Sequence, residues 1–111
     1  MGFLLKLIFT GLAAMLAAWL LPGVHLSGFL AALILALVLA VLNAIVKPVL
    51  VFLTIPVTVI TLGLFLLVIN ALIILLASWL VPGFTVDGFW WALIFSIILS
   101  IITAIIDMFR G

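Results

Sequence analysis

Apolar residues fill four long runs, Phe3 to Leu21, Phe29 to Val46, Leu62 to Val81 and Phe89 to Ile106, and the polar and turn-forming residues gather between them. Each run holds about 18 to 20 residues, and at about 1.5 Å per helical residue that matches a hydrocarbon core of roughly 30 Å. The pattern predicts an all-α integral membrane protein with four transmembrane helices. After the first and third runs come Pro22-Gly23-Val24-His25-Leu26-Ser27-Gly28 and Pro82-Gly83-Phe84-Thr85-Val86-Asp87-Gly88. In both, proline ends the helix and glycine permits a turn. Short turns of this kind make their flanking helices antiparallel neighbours.

The two turns belong to a longer repeat. Trp19 to Val46 aligns without gaps on Trp79 to Ile106, sixty residues on, with identity at Trp19, Leu20, Pro22, Gly23, Gly28, Phe29, Ala32, Leu33, Ile34, Leu39, Ala44 and Ile45. Upstream the phase continues through Leu12 and Leu72, Leu16 and Leu76, and Ala17 and Ala77. One helical hairpin is therefore written twice in tandem, as residues 1–47 and 62–111. The repeat also bears on Met1, Lys6 and the apolar run behind them, which have the look of a signal peptide. Residues 12–20 repeat residues 72–80, so they are read as part of the fold.

Between the hairpins lies Pro48 to Thr61, apolar but interrupted by Pro48 and Pro56 and carrying Thr54, Thr58 and Thr61. As a helix its 14 or so residues would span only about 21 Å, too short to cross. Irregular backbone facing lipid would leave its polar groups unpaired, so the segment is expected to be interfacial or re-entrant and packed on the bundle. The alternative is a continuation of the third helix, kinked at Pro56. If the segment does not cross, Lys6, Lys47 and Arg110 share one side and His25 and Asp87 the other. The excess of positive charge on cytoplasmic loops then places both termini in the cytoplasm and relates the repeats by an axis along the membrane normal.

Composition narrows the function. The chain is 73% hydrophobic and 5% charged over 111 residues, a balance that a water-soluble globule of this size has no interior to hide. Three cations give no patch for a row of phosphates, so nucleic acid is not an expected partner. Cysteine is absent and His25 is the one imidazole, which leaves no thiolate chemistry and no metal site. With two aspartates on opposite sides and no Gly-rich phosphate loop, neither an enzyme nor a cofactor is expected. A proton-coupled transporter of the small multidrug type would need an ionisable group in the first helix, which has none at mid-depth.

What remains are packing and anchoring residues. Ala32, Ala36, Ala40 and Ala44 in the second run, and Ala92, Ser96, Ser100 and Ala104 in the fourth, form matching small-residue stripes. Such stripes let helices approach closely in lipid, so these two helices are expected to face each other or a neighbouring subunit. Trp19, Trp79, Trp90 and Trp91 sit at helix ends where indoles anchor to the headgroup layer; the competing reading is an aromatic cage. Asn43 and Asn70 are intramembrane amides, read as structural pins rather than solute ligands. Lys47 and Asp107 are equivalent positions that would reach one depth and could pair at the rim; the alternative is separate snorkelling. If a pore exists, its lining should come from Thr54, Thr58, Thr61, Asn70, Ser96 and Ser100.

Taken together, Asn43-Ala44-Ile45-Val46-Lys47-Pro48, then Pro56, Thr61-Leu62-Gly63, Asn70, Pro82-Gly83 and Gly88-Phe89 resemble the small bacterial membrane proteins grouped as phage holin family 4, the mycobacterial type with four transmembrane segments. The resemblance spans nearly the whole chain. It implies residence in the bacterial cytoplasmic membrane and holin-like activity, in which copies assemble into lesions that let a lytic enzyme reach the wall. No catalytic or ligand residues come with the family. The expected protein is thus non-enzymatic, self-associating as a homo-oligomer and partnered by membrane lipids, and it alters membrane integrity or permeability. The alternative is an accessory structural protein of the envelope that binds lipid or a membrane partner without forming a pore.

Overall fold

The computed structural model describes residues 2–61 and 63–110, apart from the side chains of Thr58 and Arg110. The expected start of the third run at Leu62, the C-terminal Gly111, the third cation and one candidate lining threonine lie outside the described residues. The chain runs α1 (Phe3–Leu20), β1 (Val24–Leu26), α2 (Phe29–Leu53), α3 (Ile55–Ile60), α4 (Phe65–Leu80), β2 (Phe84–Val86) and α5 (Phe89–Arg110). Three of the helices are long and apolar enough to cross a membrane, and α4 is a shorter apolar one. The result is an all-α four-helix membrane protein, to which the described residues add the short helix α3 and a ribbon of two three-residue strands.

That ribbon organises the bundle. β1 and β2 pair antiparallel with Val24 opposite Val86, His25 opposite Thr85 and Leu26 opposite Phe84. His25 and Thr85 are sixty residues apart, so the pairing is centred on equivalent positions. Two further bonds are equivalent to each other: Ser27 N donates to Gly83 O and Asp87 N to Gly23 O, each at 2.8 Å. An antiparallel pair centred in this way has a local two-fold axis perpendicular to the ribbon. Positions sixty apart accordingly share their burial: Ala17 and Ala77, Val24 and Phe84, Ala32 and Ala92, Leu35 and Phe95, and Leu39 and Leu99 are all buried.

The same axis decides which helices touch. It brings the first helix of one hairpin beside the second helix of the other, so α1 packs on α2 and α5, and α4 packs on α2 and α5. The stripe-bearing helices α2 and α5 therefore stand on the diagonal. This corrects the expectation that they face each other as neighbours.

Backbone approach is closest near the ribbon. Gly11, Ala14 and Ala17 of α1 and Ala71 and Ala77 of α4 are buried there with Ala32, Ala36, Ala92 and Ser96 of the stripes. Small side chains bring the helices together where lipid offers no hydrophobic drive to do so. Phe84 and Phe95 fill the space that remains, fully buried with ring centroids 5.4 Å apart. Toward the other end the helices lose this packing, and Ala44, Ser100 and Ala104 are exposed.

Residues 48–61 divide between two helices, and the kinked continuation of the third helix is not what forms. α2 runs through Pro48 to Leu53, so a boundary at residue 47 falls inside a helix. A proline removes one helical donor, which membrane helices tolerate when the freed carbonyl is satisfied otherwise. The break comes at Thr54, whose backbone N–H and Oγ1 both donate to Leu50 O, at 3.1 and 2.7 Å. Pro56 lies in the first turn of α3, where its missing N–H costs nothing. Gly63, at φ 88°, then turns the chain into α4, separating α3 from it.

Candidate functional site

Below the packed half, the bundle opens into two clefts at the end opposite the ribbon. The larger, of about 510 Å³, lies between α1, α2 and α5. Its polar side chains are Lys6 and Thr10 from α1, Asn43 from α2, and Ser100, Thr103 and Asp107 from α5, set among Phe3, Leu7, Leu39 and Leu99. The smaller, of about 110 Å³, lies between α2, α4 and α5 and includes Asn43, Lys47, Asn70, Ser96 and Ser100. The sixty-residue shift takes Thr10 to Asn70, Asn43 to Thr103 and Asp107 to Lys47 in the opposite sense, so the clefts are two copies of one place in the fold.

Each of the four helices supplies a polar residue to this layer, Thr10, Asn43, Asn70 and Thr103, and α5 adds Ser100. From the ribbon ends of their helices Thr10 and Asn70 lie about 15 Å down and Asn43 and Thr103 about 21 Å. That depth is within a hydrocarbon core of roughly 30 Å. Thr103 Oγ1 donates back to Leu99 O at 2.9 Å and Ser96 Oγ to Leu93 O at 2.8 Å, bonds that satisfy a hydroxyl within its own helix. Among the described residues the side chains of Asn43, Asn70 and Ser100 take no hydrogen-bond partner. An unpaired amide at this depth costs several kcal/mol unless water or a ligand reaches it (about 2–7 kcal/mol).

Several expected sites take a different place. Lys47 and Asp107 line separate clefts, Lys47 beside Asn70 and Asp107 beside Lys6, because their helices are diagonal. The ion pair seen among the described residues is His25 to Asp87, with Nε2 and Oδ2 3.3 Å apart across the ribbon and both side chains more than half exposed. Of the candidate lining hydroxyls, Thr54 and Thr61 cap helix ends: Thr61 Oγ1 donates to Val57 O at 2.9 Å and accepts from Phe65 N at 3.2 Å. Ser96 is buried and bonded, while Asn70 and Ser100 do face a cleft.

The tryptophans divide as well. Trp19, Trp79 and Trp90 are 81, 87 and 73% exposed at the ribbon end, whereas Trp91 turns inward over Gly23, where a Cβ would sit inside its ring. A glycine leaves the room that draws this indole off the surface. Thr10 and Thr103 do not stand out in the sequence, although the repeat holds the signal: they are the partners of Asn70 and Asn43 under the shift.

Comparison with known proteins agrees with this architecture. The uncharacterized protein SCO3922 of Streptomyces coelicolor is 40% identical over 118 residues, covering 97% of this chain and 94% of that one. The uncharacterized membrane protein YvlD of Bacillus subtilis is 40% identical over 85 residues, covering 76% of this chain and 71% of its own. No solved structure matches. Residues 1–105, from the start of α1 through most of α5, match a family defined by the same four apolar spans. The chain therefore belongs to the family described as mycobacterial 4 TMS phage holin, superfamily IV.

Proposed function

We propose that the protein is a non-enzymatic, self-associating component of the bacterial cytoplasmic membrane that alters its integrity or permeability in a holin-like way, with both termini in the cytoplasm. The observation that carries this reading is the polar layer at membrane depth, where Asn43, Asn70 and Ser100 find no side-chain hydrogen-bond partner among the described residues. Exposed Ala44 and Ala104 beside the clefts offer faces on which a second copy could pack closely. The amides and hydroxyls at such contacts would then line water between copies.

One chain is not a conduit. Its ribbon end is plugged by Phe84, Phe95 and Leu35, so leakage has to come from an assembly. Reconstitution into dye-loaded liposomes tests this. Release should rise more steeply than linearly with protein density, and Asn43→Leu with Ser100→Leu should reduce it. Vesicles that stay tight at every density would sink the permeability reading and leave the structural alternative, which the sealed ribbon end favours.

A further inference from the structure

The smaller cleft holds a positive charge that no described residue answers. Lys47 lines it from α2, half-buried, and among the described residues it forms no ion pair and no hydrogen bond through its ammonium. No carboxylate stands among the residues of the walls, whose other polar side chains are Asn43, Asn70, Ser96 and Ser100. Ser96 Oγ already donates to Leu93 O, so it has only lone pairs to offer. The amides of Asn43 and Asn70 and the hydroxyl of Ser100 keep their donors, with no acceptor for them among the described residues. Three helices, α2, α4 and α5, thus bring one cation and three donors to a single cleft. Polar groups removed from water are costly until they are paired, and a surplus of donors around a cation is satisfied by an anion.

We infer that the smaller cleft is a binding site for a phosphate group, carried by an anionic phospholipid or free in solution. Lys47 Nζ makes the charge-assisted contact, and Asn70, Asn43 and Ser100 donate to the remaining oxygens. The cleft's volume of about 110 Å³ is well below the roughly 300–1,000 Å³ of a drug-sized pocket, so it takes a compact oxyanion and not a whole lipid. A tetrahedral group with acceptors on every side suits donors that come from three walls, and a planar carboxylate faces fewer of them. An ammonium or a metal ion would meet Lys47 as like charge. Along α2, Lys47 lies one turn beyond Asn43 and about 27 Å from the ribbon end, close to the far boundary of a hydrocarbon core of roughly 30 Å. Lipid phosphates and dissolved anions both reach that level. The larger cleft contains a carboxylate, Asp107, besides its cation Lys6, and so lacks the same excess of positive charge.

This site is independent of whether the protein leaks dye, and the test reads binding alone, on the full chain in mild detergent. In one arm the protein is extracted from vesicles of equal parts phosphatidylglycerol and phosphatidylcholine, and retained lipid is quantified by mass spectrometry. In the other, lipid-stripped protein is titrated calorimetrically with inorganic phosphate, against chloride at equal ionic strength. Retention of phosphatidylglycerol roughly tenfold over phosphatidylcholine, the scale of one charge-assisted bond, assigns a lipid headgroup. Uptake of inorganic phosphate without a lipid preference assigns the soluble anion. Either result supports the site when Lys47→Gln abolishes it, Lys47→Arg preserves it and Asn70→Leu weakens it several-fold, while Lys6→Gln, which removes the cation of the other cleft, leaves it unchanged. The Lys47 pair of variants keeps the test decisive if Asn70→Leu fails to fold. Binding of neither ligand, a preference that survives Lys47→Gln, or an equal loss from Lys6→Gln, the mark of general attraction between lysines and anionic lipid, would each overturn the proposal.

Discussion

Gly23 and Gly83 occupy the same place in the two turns, yet they are small for different reasons. Gly23 lies under the Trp91 ring, while Gly83 has φ 85° and faces Ser27 Oγ and Cβ and the Ala31 methyl. Trp91 and Ala31 are themselves equivalent, so an indole in one copy is replaced by a methyl in the other. Gly23→Ala should destabilise the bundle by about 1–3 kcal/mol through overpacking, and Trp91→Ala in the same chain should recover much of that loss. Gly83→Ala should cost a similar amount, but Ser27→Ala should not rescue it, since the left-handed backbone remains strained whatever faces it. Thermal unfolding in mild detergent of the two singles and two doubles reads both cycles; equal rescue at both glycines would contradict the distinction. The His25 to Asp87 pair, more than half exposed, belongs to the weak class, and Asp87→Asn should shift stability by less than about 1 kcal/mol.

At the scale of the elements, the helix ends near the middle of the chain are set by side-chain chemistry. Thr61 accepts from Phe65 N and so holds the start of α4, and Gly63 makes the turn at φ 88° with open space around its Cα. Thr61→Val should cost about 0.5–2 kcal/mol, the usual worth of such a cap. Gly63→Ala should cost about 1 kcal/mol from backbone strain alone, with Gly63→Asn milder because asparagine tolerates the left-handed region. Unfolding midpoints measure the series, and an alanine as stable as glycine would refute the turn's role.

These same elements mark what could be read from sequence. Run length and the repeat gave α1, α4, α5 and both turns. The path through Pro48 was not legible, because a proline stops a helix in one context and is accommodated in another, and which holds depends on what satisfies one carbonyl. The polar layer was half legible: amides stand out in an apolar run, but threonines pass as ordinary helix surface until the fold brings Thr10 and Thr103 to the level of Asn70 and Asn43. The His25 to Asp87 pair required the ribbon register, which three-residue strands do not announce.

For the whole molecule, the ribbon's two-fold has a consequence that does not depend on any assembly. An axis perpendicular to a ribbon lying across one end of the bundle runs along the helices, so the two hairpins are expected to enter the membrane the same way up. Gly2 and Met108 are then expected to share a compartment with Lys47, with His25 and Thr85 in the opposite one. Because the chain has no cysteine, single replacements report cleanly. With a membrane-impermeant maleimide on intact spheroplasts, His25→Cys and Thr85→Cys should react at once, and Gly2→Cys, Lys47→Cys and Met108→Cys only after lysis. The exposure of Met108 and His25 in the folded chain means that slow labelling there reports the membrane and not burial. Reaction of Gly2→Cys and Met108→Cys from different sides would require an odd number of crossings, and neither the ribbon's symmetric hydrogen bonds nor the matching cores of the two hairpins could then persist in the membrane.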